Sequence, residues 1–342
     1  MEKLRHFLHI FLRKIKGRTG CRAVSSASSS FYDATIINIY HNLLKREPNE
    51  DELIHWNYAL GCGTPIRQIK SSLKLSYEYE QLKNRNDIVL VNLPTFKLFC
   101  RSSDLDVGRQ IIHTQSFEPY VASTLKDILK SGDVFVDLGA NIGYFSLMAS
   151  TLVGPIGKII SFEPNVRNVG LFYASIIENN IKNIVVMPVA ASDTAQIHKL
   201  QSFGSNGFLG APTPSQSGVQ YIQSVVLDEI LFSVPRIDAI KMDIEGFEPF
   251  ALRGMLKLIE KHKPIIVTEF SPWHIKHRCG RPPQEYLDTL TAIGYRLAII
   301  ESSGRETPMK NPAEIIEFWS SLQDDKMQLD LIARPSIRRS LS

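Results

Sequence analysis

Cysteine is scarce in this 342-residue chain: Cys21, Cys62, Cys100 and Cys279 stand apart, with no CxxC pair. That spacing suggests neither a zinc site nor a disulfide scaffold, and a reducing, cytoplasmic setting is expected. Long apolar runs are missing too; none reaches the roughly 18 residues of a membrane-crossing helix. Charge of one sign is not in excess. The 39 Lys and Arg against 35 Asp and Glu leave +4, too slight a bias to point to nucleic acid. With 44% apolar and 22% charged residues, the bulk of the chain folds around a core. Its length suits one large domain plus a smaller one.

Residues 1–18 depart from this balance. Six Lys or Arg face one acid, Glu2, and Leu4, Phe7, Leu8, Phe11, Leu12 and Ile15 recur at helical spacing. A basic amphipathic helix of this kind suits peripheral contact with an anionic membrane surface, or packing on the next domain. Charges at Arg5, His6 and Arg13 interrupt the apolar stretch, so it does not read as a signal peptide. Small polar residues up to position 30 read as a linker. Residues 31–86 read as an all-helical module: Ile36, Ile39, Tyr40, Leu43 and Leu44 form one stripe, and Asn49 with Glu52 signals a capped helix start. From Asp133 onward, apolar runs at 134–138, 157–162, 184–190, 222–226, 238–242 and 264–268 alternate with helical segments. That alternation predicts a parallel α/β sheet over a domain spanning 87–335, with Leu329 to Ala333 returning as a final edge strand.

The chemistry concentrates at the ends of those strands. Val134 to Leu138 runs into a turn with Gly139 and Gly143, then into a helix. The pattern is neither the dinucleotide fingerprint nor a phosphate-cradling P-loop. An acid, Asp137, precedes the first glycine by two positions; a carboxylate here suits a cationic ligand and repels a pyrophosphate. S-adenosylmethionine carries a sulfonium, an ammonium and no phosphate. Glu163 ends the second strand, where an acid accepts hydrogen bonds from a ribose diol. Asp243 and Glu245 follow the fourth strand and would face the transferable group or its acceptor. They suit a general base, a binder of hydroxyls or a ligand to a divalent metal, and Asp243 alone would also suit a helix cap. Glu269 ends the fifth strand, and Trp273 beside His274 suits a sugar ring stacked next to a base that titrates near pH 6.5. As an alternative, both are ordinary loop residues.

The blocks VDLGANIGYF (136–145), FEP (162–164), AASD (190–193), LDEI (227–230), IKMDIEGFEPFALRG (240–254) and KPIIVTEF (263–270) resemble, in order, the FkbM-type methyltransferases. The resemblance runs from about Glu118 to Leu331. It implies a Rossmann-like class I fold, mostly parallel and seven-stranded, and methyl transfer from S-adenosylmethionine to a hydroxyl, commonly of a sugar. By position it assigns Asp137, Gly139, Asn141, Gly143, Glu163, Ala191 and Asp193 to the cofactor. The residues' own places in the chain put Asp243, Glu245 and His274 in catalysis, and Glu118, Glu269 and Trp273 beside the acceptor. No metal ligand is assigned, and a divalent metal stays open. Residues 40–48, His55-Trp56 and Ser76 to Glu78 resemble a small helical module, similar to phycobilisome-linker segments, found beside bacterial glycan enzymes. Lys45 stands where that module has a glycine. The combined expectation is an O-methyltransferase of bacterial surface glycan or lipopolysaccharide assembly. Two alternatives stand beside it: a lipid, polyketide or amine acceptor, and a cofactor-binding protein without catalysis.

Overall fold

The computed structural model describes residues 32–76, 78–79, 82, 87–209 and 220–336. The basic stretch at 1–18 and the linker after it lie outside the described residues. The chain divides after Asp87 into two compact units.

The first unit holds helices α1 (Asp33–Leu44), α2 (Glu50–Gly61) and α3 (Ile66–Lys74). Their apolar stripes meet: Ile36, Ile39, Tyr40 and Leu44 pack with Trp56, Ala59, Ile69 and Leu73. The Trp56 indole donates to the Tyr40 hydroxyl at 2.9 Å, so both polar tips are satisfied inside the bundle. Asn49 and Glu52 form a reciprocal capping box at the start of α2. Lys45 ends α1 at φ 55, the left-handed conformation a glycine adopts without strain. Cys62 is disulfide-bonded, against the expectation of isolated thiols; Cys100 and Cys279 are free.

The second unit opens with the antiparallel pair β1 (Ile88–Asn92) and β2 (Lys97–Arg101), followed by α4 (Val107–Thr114) and α5 (Pro119–Ile128). Then strand and helix alternate: β3 (Val134–Leu138), α6 (Tyr144–Val153), β4 (Lys158–Phe162), α7 (Val166–Glu178) and β5 (Ile184–Met187). Strands β6 (Ala190–Ser192), β7 (Ile197–Phe203), β8 (Asn206–Leu209) and β9 (Gln220–Val226) form a separate four-stranded sheet. After α8 (Leu227–Ile230) come β10 (Ala239–Met242), α9 (Glu248–Arg253), α10 (Leu256–His262) and β11 (Ile265–Phe270). The chain closes with α11 (Pro283–Ala292), β12 (Tyr295–Ile300), β13 (Glu306–Pro308), α12 (Pro312–Ser321) and β14 (Leu329–Pro335).

The main sheet runs β13-β12-β14-β11-β10-β3-β4-β5. Successive residues of β3 serve opposite cores. Phe135 packs under α5 and α6, while Val136 and Leu138 pack with residues of α9, α10 and α11. Both faces are covered, which is why these strands read as unbroken apolar runs rather than alternating ones. Strands β3, β4, β5, β10 and β11 are parallel to their neighbours in that group, whereas β14 is antiparallel to both β11 and β12, and β13 to β12. The sheet is therefore mixed and eight-stranded, not mostly parallel and seven-stranded; β13 has only three residues, too few for a sequence pattern. Two further expectations are corrected. The strand expected at 222–226 belongs to the second sheet, and β14 is an interior strand rather than an edge. No helix among the described residues is long and apolar enough to cross a membrane.

Candidate active site

The carboxyl ends of β3, β4, β10 and β11 open into one cavity of about 320 Å³. One wall is built by the turn after β3. Gly139 takes φ +80, and a Cβ there would lie 1.8 Å from the Asp243 carbonyl oxygen, so only glycine lets the turn pass the end of β10. Asn141, at φ 51, turns the backbone again, and its amide N–H donates to Glu163 at 2.8 Å. Glu163 also accepts from the Asn165 N–H at 2.8 Å and the Asn168 side-chain amide at 3.2 Å. Burial pushes its carboxyl up to about 7, against the pull of these three donors. Ala190, Ala191, Leu200 and Leu209 add an apolar wall beyond it.

The tip of the β7–β8 hairpin forms part of the rim. Asn168 donates to the Ser205 carbonyl at 2.7 Å, and the Asn141 amide donates to Asn206 at 3.1 Å. The buried Asp104 accepts from the Gly108 N–H at 2.8 Å and the Ser205 N–H at 3.3 Å. One amide, Asn168, thus ties the hairpin to Glu163.

The opposite wall is acidic. Lys241, only 4% exposed, reaches Asp243 at 3.0 Å and lies over the Phe145 ring. Burial alone would discharge it; Asp243, Glu118 and Asp137 outweigh that penalty and hold the ammonium charged. Glu118 precedes α5 at φ 40, and burial pushes its carboxyl up to about 8 despite Lys241. Glu245, at φ 59, is held by Arg278 at 2.7 Å, and burial with the charge of Asp243 raises its carboxyl. The His274 ring lies 3.5 Å from Glu245, but burial and the Arg278 guanidinium push its pKa down to about 4. The imidazole is therefore neutral near pH 7, and its contact with Glu245 is no ion pair. The expected titration near 6.5 is corrected accordingly. Glu269 sits at the end of β11, raised well above the ordinary carboxylate range by burial and by Asp243.

The cavity brings together Gly139, Asn141, Glu163, Ala191, Glu118, Asp243, Glu245, Glu269 and His274. Four residues expected there lie off it. Asp137 is fully buried behind the wall and accepts from Ser146 at 2.5 Å, so it anchors α6 to β3. Gly143 caps the start of α6 at φ +93, where an added Cβ would lie 2.2 Å from the Phe172 ring. Asp193 pairs with Arg253 at 2.8 Å. Trp273 stacks on His277, with ring centroids 4.4 Å apart, and does not line the cavity. Lys241 and Asn206 were not anticipated. A lysine inside an apolar strand run is itself a signal, since buried lysines require partners; nothing in the sequence around Asn206 announces its role.

The chemistry of the cavity suits S-adenosylmethionine: a glycine turn that brings backbone close, a buried carboxylate at the end of β4, an apolar slot beside it, and several acids on the opposite wall. Residues 137–297 match the family model of the methyltransferase FkbM domain. Among solved structures, the chain is similar to the methyltransferase FkbM from Methylobacillus flagellatus, at 17% identity over 88% of this chain and 60% of that one, with a TM-score of 0.38. It is similar to an S-adenosylmethionine-dependent methyltransferase from Aquifex aeolicus at 16% identity, over 67% and 94% of the two chains, with a TM-score of 0.36. The S-adenosylmethionine-dependent O-methyltransferase from Thermotoga maritima matches at 12% identity, over 74% and 88%, with a TM-score of 0.37. A comparison with curated proteins found no match. By that match residues 137–297 are a methyltransferase FkbM domain, and the protein is an S-adenosylmethionine-dependent methyltransferase through it.

Proposed function

We propose that this methyltransferase acts on a hydroxyl oxygen of a saccharide, in bacterial surface glycan or lipopolysaccharide assembly. The observation that carries the reading is the chemistry of the acceptor wall. Glu118, Asp243, Glu245 and Glu269 line it, and a hydroxyl-rich ligand supplies the donors such oxygens need, whereas a lipid chain would leave them bare. We keep peripheral membrane contact through residues 1–18 as part of the proposal.

In this reading Gly139 and Asn141 shape the cofactor turn, and Glu163 receives the ribose hydroxyls. When bound, S-adenosylmethionine supplies a methyl group on a sulfonium, which passes to the acceptor oxygen as the S–C bond breaks. Asp243, fixed by Lys241, faces that positive centre. Glu118 takes the hydroxyl proton: it lines the cavity, and its pKa of about 8 lies close to neutral pH, where a general base is effective. His274, at about 4, is too weak a base for that step.

Incubating the protein with S-adenosylmethionine and mixed glycans tests the reading. Formation of S-adenosylhomocysteine together with a methylated saccharide supports it; tight cofactor binding with no turnover on any acceptor favours a protein without catalysis. The ribose role of Glu163 is tested by calorimetry. Glu163→Ala should weaken S-adenosylmethionine binding by about 1–3 kcal/mol, the range for a lost charged hydrogen-bond partner. Unchanged affinity would remove the ribose from Glu163.

A further inference from the structure

Two cavity carboxylates have a cation of their own. Asp243 has Lys241 at 3.0 Å, and Glu245 has Arg278 at 2.7 Å. Glu269 has none. No ion pair or side-chain hydrogen bond reaches its carboxylate from any described residue, and its Oε2 is buried without a partner. Its neighbour makes the lack more acute. In the antiparallel pairing of β11 with β14, Glu269 stands directly opposite Asp330. Opposed residues share a face, so two carboxylates are set side by side, an arrangement that destabilises a sheet. Asp330 has the Tyr120 hydroxyl beside it, and burial followed by the charge of Asp243 pushes it up to about 6 against the pull of Lys241. Lys241 is itself paired with Asp243, and no ion pair reaches either Glu269 or Asp330 among the described residues. No group of three or more His, Cys, Asp or Glu that could hold a metal ion is found among the described residues.

The sheet order says which ligand supplies the charge. Strand β11 lies two strands from β3 and three from β4, on the side away from Gly139 and Glu163. At about 4.8 Å per strand, Glu269 stands roughly 10 Å from the cofactor turn. It lies on the acceptor side.

We propose that Glu269, backed by Asp330, receives a charged amino group of the methyl acceptor, which is thus an amino sugar or another amino alcohol. The inference rests on the hydroxyl-methyltransferase reading above. Pinning an ammonium on Glu269 leaves a neighbouring hydroxyl free to face β10 and Asp243.

The protein saturated with S-adenosylhomocysteine is titrated calorimetrically with glucosamine, N-acetylglucosamine and glucose at pH 6.5, where the free amine is charged. Glucosamine should bind about tenfold or more tightly than the other two, the size of one charged hydrogen bond. Glu269→Gln should abolish that preference while leaving S-adenosylhomocysteine affinity within about twofold. Glu269→Asp should restore part of the preference. Equal binding of the three sugars, no binding of glucosamine, or a preference that survives Glu269→Gln overturns the proposal. So does a Glu269→Gln variant that loses affinity for S-adenosylhomocysteine but not for 5′-methylthioadenosine, since the ammonium would then be the cofactor's. A wild-type protein that binds no S-adenosylhomocysteine overturns the methyltransferase reading itself, a separate result.

Discussion

Glu118→Gln lowers kcat by about 10²–10⁴-fold, the contribution of a positioned proton acceptor, with S-adenosylmethionine affinity nearly intact. The amide keeps the shape of the carboxylate, so the left-handed backbone at φ 40 is undisturbed and only the basicity is removed. Backbone held in that region at a non-glycine residue recurs at functional sites. The pH profile is the sharper measurement. Glu118 must be ionised to take the proton, and burial raises its pKa to about 8, so kcat/KM should rise with pH through about 8 and level off above. In kcat the limb moves lower, because a bound sulfonium favours the charged carboxylate. His274→Ala should keep this limb and lose little rate. A limb near 4 that vanishes in His274→Ala would transfer the role to the imidazole, whose pKa lies there.

Gly139→Ala should destabilise the fold by about 3 kcal/mol or more and abolish cofactor binding. Two penalties coincide at this position. An L-residue at φ +80 is strained by its own backbone, and the added methyl meets the Asp243 carbonyl oxygen at 1.8 Å and its carbon at 2.9 Å. Both obstacles are main chain, so relief requires moving the end of β10 and with it Asp243. Gly170 in α7 is the matched control. Its Cβ would meet nothing within 4 Å, so Gly170→Ala should stabilise by about 0.4–1 kcal/mol. Urea unfolding of both variants, with unchanged m, separates the cases. Equal midpoints for the two would refute the steric account.

Which parts of this arrangement are legible in the sequence follows from the range of the interactions involved. The strands β3, β4, β10 and β11 are visible because each is buried on both faces and leaves a local apolar run. Gly139, Glu163, Asp243 and Glu269 follow from them, since a ligand in such a sheet sits outside the carboxyl ends. The placement of β14 between β11 and β12 depends on pairing across long separations and leaves no local trace. The hairpin tip at Asn206 is hidden for the same reason. Trp273 was misjudged because a residue type does not say where a ring points; His277, four positions on, captures it. The low pKa of His274 comes from burial and from Arg278, neither readable from the histidine itself.

The interior position of β14 bears on how the chain is made. A ribosome delivers β11 and β12 well before Leu329, yet the two cannot complete the sheet against each other, because the strand between them is made after both. Until residue 335 has emerged, two unpaired edges stay open to any passing extended segment, the condition that leads to aggregation. A nascent chain stalled before Leu329 should therefore be a client of chaperones that bind extended apolar segments. A stop codon placed there would remove Asp330 and leave the centre of the sheet unzipped, although every residue lining the cavity would already have been translated.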